Sequence, residues 1–123
     1  MRFAPTLAAA TLAVALAACG GAGGNGAAQS TADTITKAVI ANDVGTVQNN
    51  LDDSVRPTVT KTSVAALSDA MQKLGDYRGL TLLSSDATKN EYTYRADFAK
   101  GAMNVVIKLD SDGKAGAYKA IPT

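Results

Sequence analysis

The sequence contains no histidine and no tryptophan, and only one of its 123 residues is cysteine. One cysteine cannot form a disulfide within the chain, and without histidine a Ser-His-Asp triad and the common histidine-containing zinc sites are excluded. Neither sign of charge is in marked excess, because 12 basic residues face 11 acidic ones. Nucleic-acid-binding domains carry a clustered basic excess, so nucleic acid is not expected as a partner. A chain of this length is expected to fold as one domain.

The first nineteen residues differ sharply from the rest, because fifteen of them are hydrophobic. Arg2 places a positive charge at the start, and residues 3–18 form an apolar run rich in alanine and leucine. The run is shorter than the ~20 residues of a membrane-spanning helix, and it has no polar face such as a soluble amphipathic helix needs. This pattern is typical of an export signal, so residues 1–18 are predicted to be a signal peptide.

The apolar run ends at the lone cysteine, in the motif Leu16, Ala17, Ala18, Cys19. This motif resembles the lipobox of bacterial lipoprotein signal peptides. The resemblance implies cleavage before Cys19, a diacylglyceryl thioether on its sulfur and an acyl chain such as palmitate on its new amino group. Two or three acyl chains hold a protein firmly on a bilayer, whereas one holds it marginally. The resemblance also implies a location in the cell envelope. Because the residue after Cys19 is Gly20 rather than aspartate, the resemblance favours the periplasmic face of the outer membrane in a Gram-negative cell. In any other cell it implies the outer face of the plasma membrane.

A glycine-rich segment follows the cysteine, with five of the chain's eleven glycines between Gly20 and Gly26. Such a composition buries little apolar surface, so residues 19–32 are predicted to be the lipidated cysteine and a flexible tether. The remaining residues, 33–121, hold every charge except Arg2, and about a quarter of them are charged, as is usual in a soluble globular domain. One domain is therefore predicted over 33–121.

Helix signals come first in this domain. Asp33 is predicted to cap a first helix, Asp43 a short second one and Ser63 a third, which Gly75 ends. The third helix repeats apolar residues at helical spacing, namely Val64, Leu67, Met71 and Leu74.

Strand signals follow from Tyr77 onward, where the hydrophobic period changes to two. The strands are predicted to start near Leu80, to alternate over residues 91–98 and 103–109, and to end with residues 114–121. Asp112-Gly113 predicts a two-residue hairpin loop before the last strand. The predicted fold is therefore α+β, with two to three N-terminal helices on one face of a four-stranded antiparallel meander.

The order of these elements resembles the small secreted bacterial domains of the ketosteroid-isomerase-like, or nuclear-transport-factor-2-like, superfamily. Three stretches carry the resemblance: residues 41–45 (Ala-Asn-Asp-Val-Gly), residues 73–77 (Lys-Leu-Gly-Asp-Tyr) and the Asp-Gly-Lys hairpin at residues 112–114. The resemblance implies a cone-like sheet that wraps helices around a pocket for a small apolar ligand, or that pairs with a second copy.

An isomerase-type site in such a fold needs a carboxylate base beside hydroxyl donors. The candidate pocket residues are Met71, Tyr92, Tyr94, Asp97 and Tyr118. However, Asp97 alternates onto the strand face opposite Tyr92 and Tyr94, and a polar strand face is usually the solvated one. The tyrosines are also explained as packing residues and Met71 as core filler. No residue is therefore assigned a catalytic role.

Metal and cofactor sites are not predicted either. Asp110 and Asp112 suggest a calcium loop, but a full loop needs further oxygen ligands and a distal glutamate that the sequence lacks.

The leading hypothesis is a membrane-anchored extracytoplasmic lipoprotein whose domain binds a small apolar ligand or an envelope protein without catalysis. Two alternatives stay open. One is a small cone-fold enzyme of the isomerase or hydrolase type, which rests on fold analogy. The other is a structural envelope component that acts as a homodimer through the outer face of its sheet.

Overall fold

The computed structural model describes residues 25–123. The predicted signal peptide, the lipobox and Cys19 lie outside the described residues. Three α-helices precede four strands in the described part, which confirms the predicted α+β fold and element order. In chain order the elements are α1 (Asn25–Ile40), α2 (Val44–Asn49), a 3₁₀ turn (Arg56–Thr58), α3 (Lys61–Gln72), β1 (Tyr77–Asp86), β2 (Glu91–Phe98), β3 (Gly101–Leu109) and β4 (Ala115–Pro122). Within residues 25–123, no helix has the length and apolar character needed to cross a membrane.

Helix α1 begins eight residues earlier than predicted, so the prediction of a flexible tether over residues 25–32 is wrong. Ala28 and Ala32 are both 0% exposed and join the core with Ile35 and Val39. These four positions are spaced by four, three and four residues, which places them along one face of the helix. Because alanine is small, this face can approach the sheet closely. The packed domain therefore includes residues 25–32, which precede its predicted start at residue 33.

The second and third helices begin with side-chain caps. Asp43 caps α2 as predicted, because its Oδ1 accepts the Thr46 N–H at 3.2 Å. For α3 the prediction of Ser63 as the cap is wrong: Thr60 is the cap, and its Oγ1 accepts the Ser63 N–H at 3.1 Å. The Ser63 Oγ accepts the Thr60 N–H in return at 3.0 Å, so two otherwise free N–H groups are satisfied together. Gly75 follows α3 with φ +90°, the left-handed conformation that glycine adopts readily.

The four strands pair with their sequence neighbours in one antiparallel sheet of order β1-β2-β3-β4. The alternation predicted from the sequence is confirmed in β2 and β3. The side chains that these strands bury are Tyr92, Tyr94, Ala96 and Phe98 from β2, and Met103, Val105, Ile107 and Leu109 from β3. The opposite face of the sheet carries mainly polar residues.

The hairpin between β3 and β4 has a longer loop than the predicted two residues. The Asp110 N–H donates to the Lys114 carbonyl at 2.8 Å, which leaves residues 111–113 at the tip. Gly113 has φ +79° and donates its N–H to the Asp110 carbonyl at 3.2 Å. The loop is longer because the Asp110 carboxylate accepts the N–H groups of Asp112 and Lys114, both at 2.9 Å, and so stabilises the wider turn.

Helix α1 is the central element, since it packs on the sheet on one side and contacts both α2 and α3. Its C-terminal end is held by α3, because Ser68 Oγ and Gln72 Nε2 donate to the Ile40 carbonyl at 3.0 and 3.1 Å. The chain after α2 runs beside the start of β4, where the Asp52 N–H donates to the Ala115 carbonyl at 2.9 Å. The core lies between α1 and the buried face of the sheet.

Candidate functional site

The five predicted pocket residues do not come together around one space. Met71 and Tyr94 are fully buried, and Tyr92 is nearly so, in the core cluster between the helices and the sheet. Tyr118 is partly buried on β4 and packs against that cluster. Asp97 lies on the opposite face of the sheet from Tyr92 and Tyr94. The carboxylate and the tyrosines therefore do not form a common site.

Asp97 is part of a polar group on the open face of the sheet. Its Oδ1 accepts a hydrogen bond from Arg95 Nε at 2.9 Å, and its side chain is 38% exposed. The Thr81 hydroxyl lies 3.5 Å from its other carboxylate oxygen. An ion pair this exposed contributes little to stability. Asp97 thus lies in polar, partly exposed surroundings rather than among apolar walls.

A different carboxylate does meet a tyrosine, at the contact between α1 and β1. The Tyr77 hydroxyl donates to Asp33 Oδ1 at 2.6 Å, and Lys37 Nζ lies 2.9 Å from Asp33 Oδ2. The prediction of Asp33 as a helix cap is wrong, because α1 begins eight residues before it. Asp33 instead sits within α1 and holds one strand of the sheet.

Helix α1 makes a second polar contact one turn further on, with β4. The hydroxyl oxygens of Thr36 and Tyr118 are 2.7 Å apart, and Thr36 is 0% exposed. We call these four residues the α1 polar seam: Asp33, Thr36, Tyr77 and Tyr118. Because β1 and β4 are the two edge strands, the seam ties one helix to both edges of the sheet.

The tyrosine hydroxyls of the seam are held in their neutral form. Burial raises the pKa of Tyr77 well above its usual value, and the hydrogen bond to Asp33 and the negative charge of that carboxylate raise it further. Burial also raises the pKa of Tyr118 to about 12, although its hydrogen bond with Thr36 lowers it slightly. At neutral pH both side chains are hydrogen-bonding phenols and neither can serve as a base. The seam is suited to holding α1 on the sheet.

Three surface clefts lie away from the predicted pocket, with volumes of ≈ 320 to ≈ 360 Å³. The largest, ≈ 360 Å³, is lined by Ala27, Asn90, Leu109 and the turn formed by residues 110–113. A second cleft, beside Asp52 and Lys114, contains Asp110 and Asp112 as well. Among residues 25–123, no three histidine, cysteine, aspartate or glutamate side chains are grouped so that they could hold a metal ion.

Two of the acidic residues at these clefts, Asp52 and Asp110, accept hydrogen bonds within local turns. Asp52 Oδ1 accepts from the Ser54 hydroxyl at 2.6 Å and from the Ser54 N–H at 3.0 Å. These hydrogen bonds, the hydroxyl contact most strongly, keep the pKa of Asp52 below its usual value. Asp110 accepts the two N–H groups of its own hairpin. Both carboxylates therefore stabilise turns, and these hydrogen bonds already use part of their capacity to bind a ligand.

The sequence predicts Tyr118 as a candidate, but it does not predict its contact with Thr36 or the contact between Asp33 and Tyr77. Tyr77 is 44 residues from Asp33, and Tyr118 is 82 residues from Thr36. The one available signal is the spacing of Asp33 and Thr36, three residues apart, which places both on one face of a helix that starts before them.

Comparison with protein-family models, with curated proteins and with solved structures gives no match to this chain. The arrangement that the chain presents is an α+β domain with helices N-terminal to an open antiparallel sheet.

Proposed function

We propose that this chain is a lipid-anchored extracytoplasmic protein whose domain binds a protein partner or ligand and performs no catalysis. The observation that carries the proposal is the position of the lone Cys19, directly after an apolar run and the small residues Ala17 and Ala18. The cysteine precedes Asn25, the first described residue of α1, by six positions. The glycine-rich sequence that follows Cys19 offers few apolar side chains against which a cysteine could pack, and lipid attachment explains its position.

The contacts of the domain favour binding through its surface. The carboxylate that meets a tyrosine, Asp33, is already engaged by Tyr77 and Lys37. Met71 and Tyr94, which were candidates to line a cavity, instead fill the core. A protein partner on the outside of the domain therefore fits the geometry better than a small apolar ligand within it. The resemblance to the ketosteroid-isomerase-like superfamily belongs to the same proposal and supplies no site residue.

The proposal is tested by metabolic labelling with palmitate and by mass spectrometry of the full chain expressed in bacteria. We expect the wild-type chain to incorporate the label, to fractionate with membranes and to start at Cys19 in the mature protein. Globomycin, which blocks lipoprotein signal peptidase, is expected to leave an uncleaved precursor. Cys19→Ala is expected to lose the label entirely.

A matched control keeps the same segment but leaves the cysteine intact. Gly23→Ala lies four residues further on, and it is expected to be labelled and cleaved like the wild type. Unchanged mass and unchanged membrane association in Cys19→Ala would show that lipid is not attached there, and the proposal would then fail.

A further inference from the structure

One end of the domain gathers the start of α1 and both of the turns that follow β1 and β3. Ala27 of α1, Asn90 of the β1–β2 turn and Gly113 of the β3–β4 hairpin line the same cleft. The strand register supports this grouping of the two turns. Glu91, at the start of β2, pairs with Asp86 at the end of β1 and with Lys108 near the end of β3. We call this the near end and define it as residues 26–27, 87–90 and 110–114.

The opposite end of the sheet, which we call the far end, carries the end of α3 with the residues that follow it (72–76) and the β2–β3 turn (99–100). Gly75 lies against Ala99 there, and the Lys100 N–H donates to the Leu74 carbonyl at 2.7 Å. Strand β2 joins the two ends with eight residues, a length of about 26 Å. Lys89 and Lys100 stand beside its two ends, and both are exposed.

The chain between Cys19 and Asn25 is too short to reach past the domain. Six residue steps span at most about 22 Å, whatever conformation they take, because an extended chain advances by no more than about 3.6 Å per residue. If the far end were to rest on the bilayer, the chain would have to run back along the whole length of the strands, about 26 Å. A lipid on Cys19 thus excludes the inverted orientation.

We infer that the near end is a membrane-facing surface that meets the phospholipid headgroups of the bilayer holding the anchor. The inference rests on the proposed lipid attachment at Cys19. Two lysines and two aspartates lie on this surface, namely Lys89, Lys114, Asp110 and Asp112. Since the charges balance, the surface fits zwitterionic headgroups, and the short connection rather than electrostatic attraction sets the orientation. The far end then points away from the bilayer and the open face of the sheet lies along the side of the domain, so both are left for a protein partner.

The test compares two single-cysteine variants of the lipidated full chain, Lys89→Cys at the near end and Lys100→Cys at the far end. Both residues are exposed turn lysines, so the two variants lose the same charge. The sulfur of Cys19 is blocked by its lipid, so a thiol-reactive fluorophore labels only the introduced cysteine. The labelled proteins are reconstituted in phosphatidylcholine vesicles that carry a quencher on some headgroups.

Because the two ends are about 26 Å apart, we expect quenching at residue 89 to exceed quenching at residue 100 by at least about twofold. The difference is expected to persist at high salt, which screens attraction between exposed charges. Insertion of a long Gly/Ser segment between Gly24 and Asn25 is expected to abolish it. If either variant fails to fold, Ser111→Cys and Asp76→Cys form a second pair at the same two ends.

The outcomes separate this inference from the proposed function. Mass spectrometry of each sample first establishes whether the lipid is attached. Equal quenching at the two positions, or stronger quenching at residue 100, in a lipidated sample overturns the inference alone. A sample without lipid overturns the proposed function and the inference with it.

Discussion

Two hydroxyl groups, those of Thr36 and Tyr118, form the most enclosed side-chain pair of the α1 polar seam. They lie 2.7 Å apart, and Thr36 is fully buried within α1. When a buried hydroxyl loses its hydrogen-bond partner, the free-energy cost of its desolvation is no longer compensated. This cost is larger than the net stabilisation from an average hydrogen bond. The pair is therefore a sensitive measure of how α1 is fixed to β4.

We expect Tyr118→Phe to lower the free energy of unfolding by about 1–2 kcal/mol, because the Thr36 hydroxyl then stays buried without this partner. Thr36→Val removes the other member and is expected to cost a similar amount. The double variant is expected to cost less than the sum of the two, with a coupling of about 1 kcal/mol. Urea denaturation followed by far-UV circular dichroism measures all three.

Tyr92→Phe serves as the comparison, because Tyr92 lies on the same sheet face but outside the seam. Additive costs for Tyr118→Phe and Thr36→Val would mean that the two hydroxyl groups contribute independently, and the bond would not stabilise the fold.

At the scale of the element, the beginning of α1 depends on two alanines. Ala28 and Ala32 are fully buried and continue the apolar face that Ile35 and Val39 carry. Most of the stability of a short helix in a protein comes from the packing of such a face rather than from intrinsic propensity. Residues 25–32 are therefore helical because they contact the core.

We expect Ala32→Asp to lower the free energy of unfolding by about 3 kcal/mol or more, because a carboxylate would enter the core without a partner. Ser30→Asp, two residues earlier on the exposed side of α1, is expected to change it by less than about 0.5 kcal/mol. Thermal or urea unfolding of the two variants gives the comparison. Equal stability of both variants would favour a loose tether over residues 25–32.

The same alanines show where sequence patterns predict the fold and where they do not. Alternation predicts β2 and β3 correctly, because large apolar side chains recur at every second residue. The sequence does not predict that Ala28 and Ala32 are buried in a helix, because five glycines lie nearby and indicate a flexible segment. A buried alanine differs from an exposed one only by the residues that pack on it. The start of α3 was misplaced by three residues because Thr60 and Ser63 cap it reciprocally, and either is a good cap by itself.

Candidate site residues were harder to predict than elements. The face on which Asp97 lies follows from alternation alone, and the structure places it there beside Arg95. The contact between Asp33 and Tyr77 depends instead on how α1 crosses the sheet. No local pattern encodes that crossing, so the seam becomes visible only once the tertiary structure is known.

At the scale of the whole molecule, the exposed apolar surface is divided between the two edges of the sheet. In the part of the chain that the structure describes, the large exposed apolar side chains are Leu82, Leu83 and Ile121. Two lie on β1 and one on β4, so they do not form a continuous patch. The pairing of β1 is also irregular between Leu82 and Ser84, and such bulges hinder the addition of another strand.

This distribution bears on whether the protein acts as a homodimer. A stable interface buries about 800 Å² on each partner around a dehydrated apolar centre, which three scattered side chains do not supply. We therefore expect the fragment 20–123, which lacks Cys19, to sediment with the mass of one chain over a wide range of concentration. Analytical ultracentrifugation gives the mass directly.

If the mass doubles with concentration, Leu83→Lys and Ile121→Lys locate the interface. A monomer restored by Leu83→Lys would place the interface at the β1 edge. A monomer restored by Ile121→Lys would place the interface at β4 and the open face of the sheet. Either result would favour the alternative of a homodimer and leave that surface unavailable to a different partner.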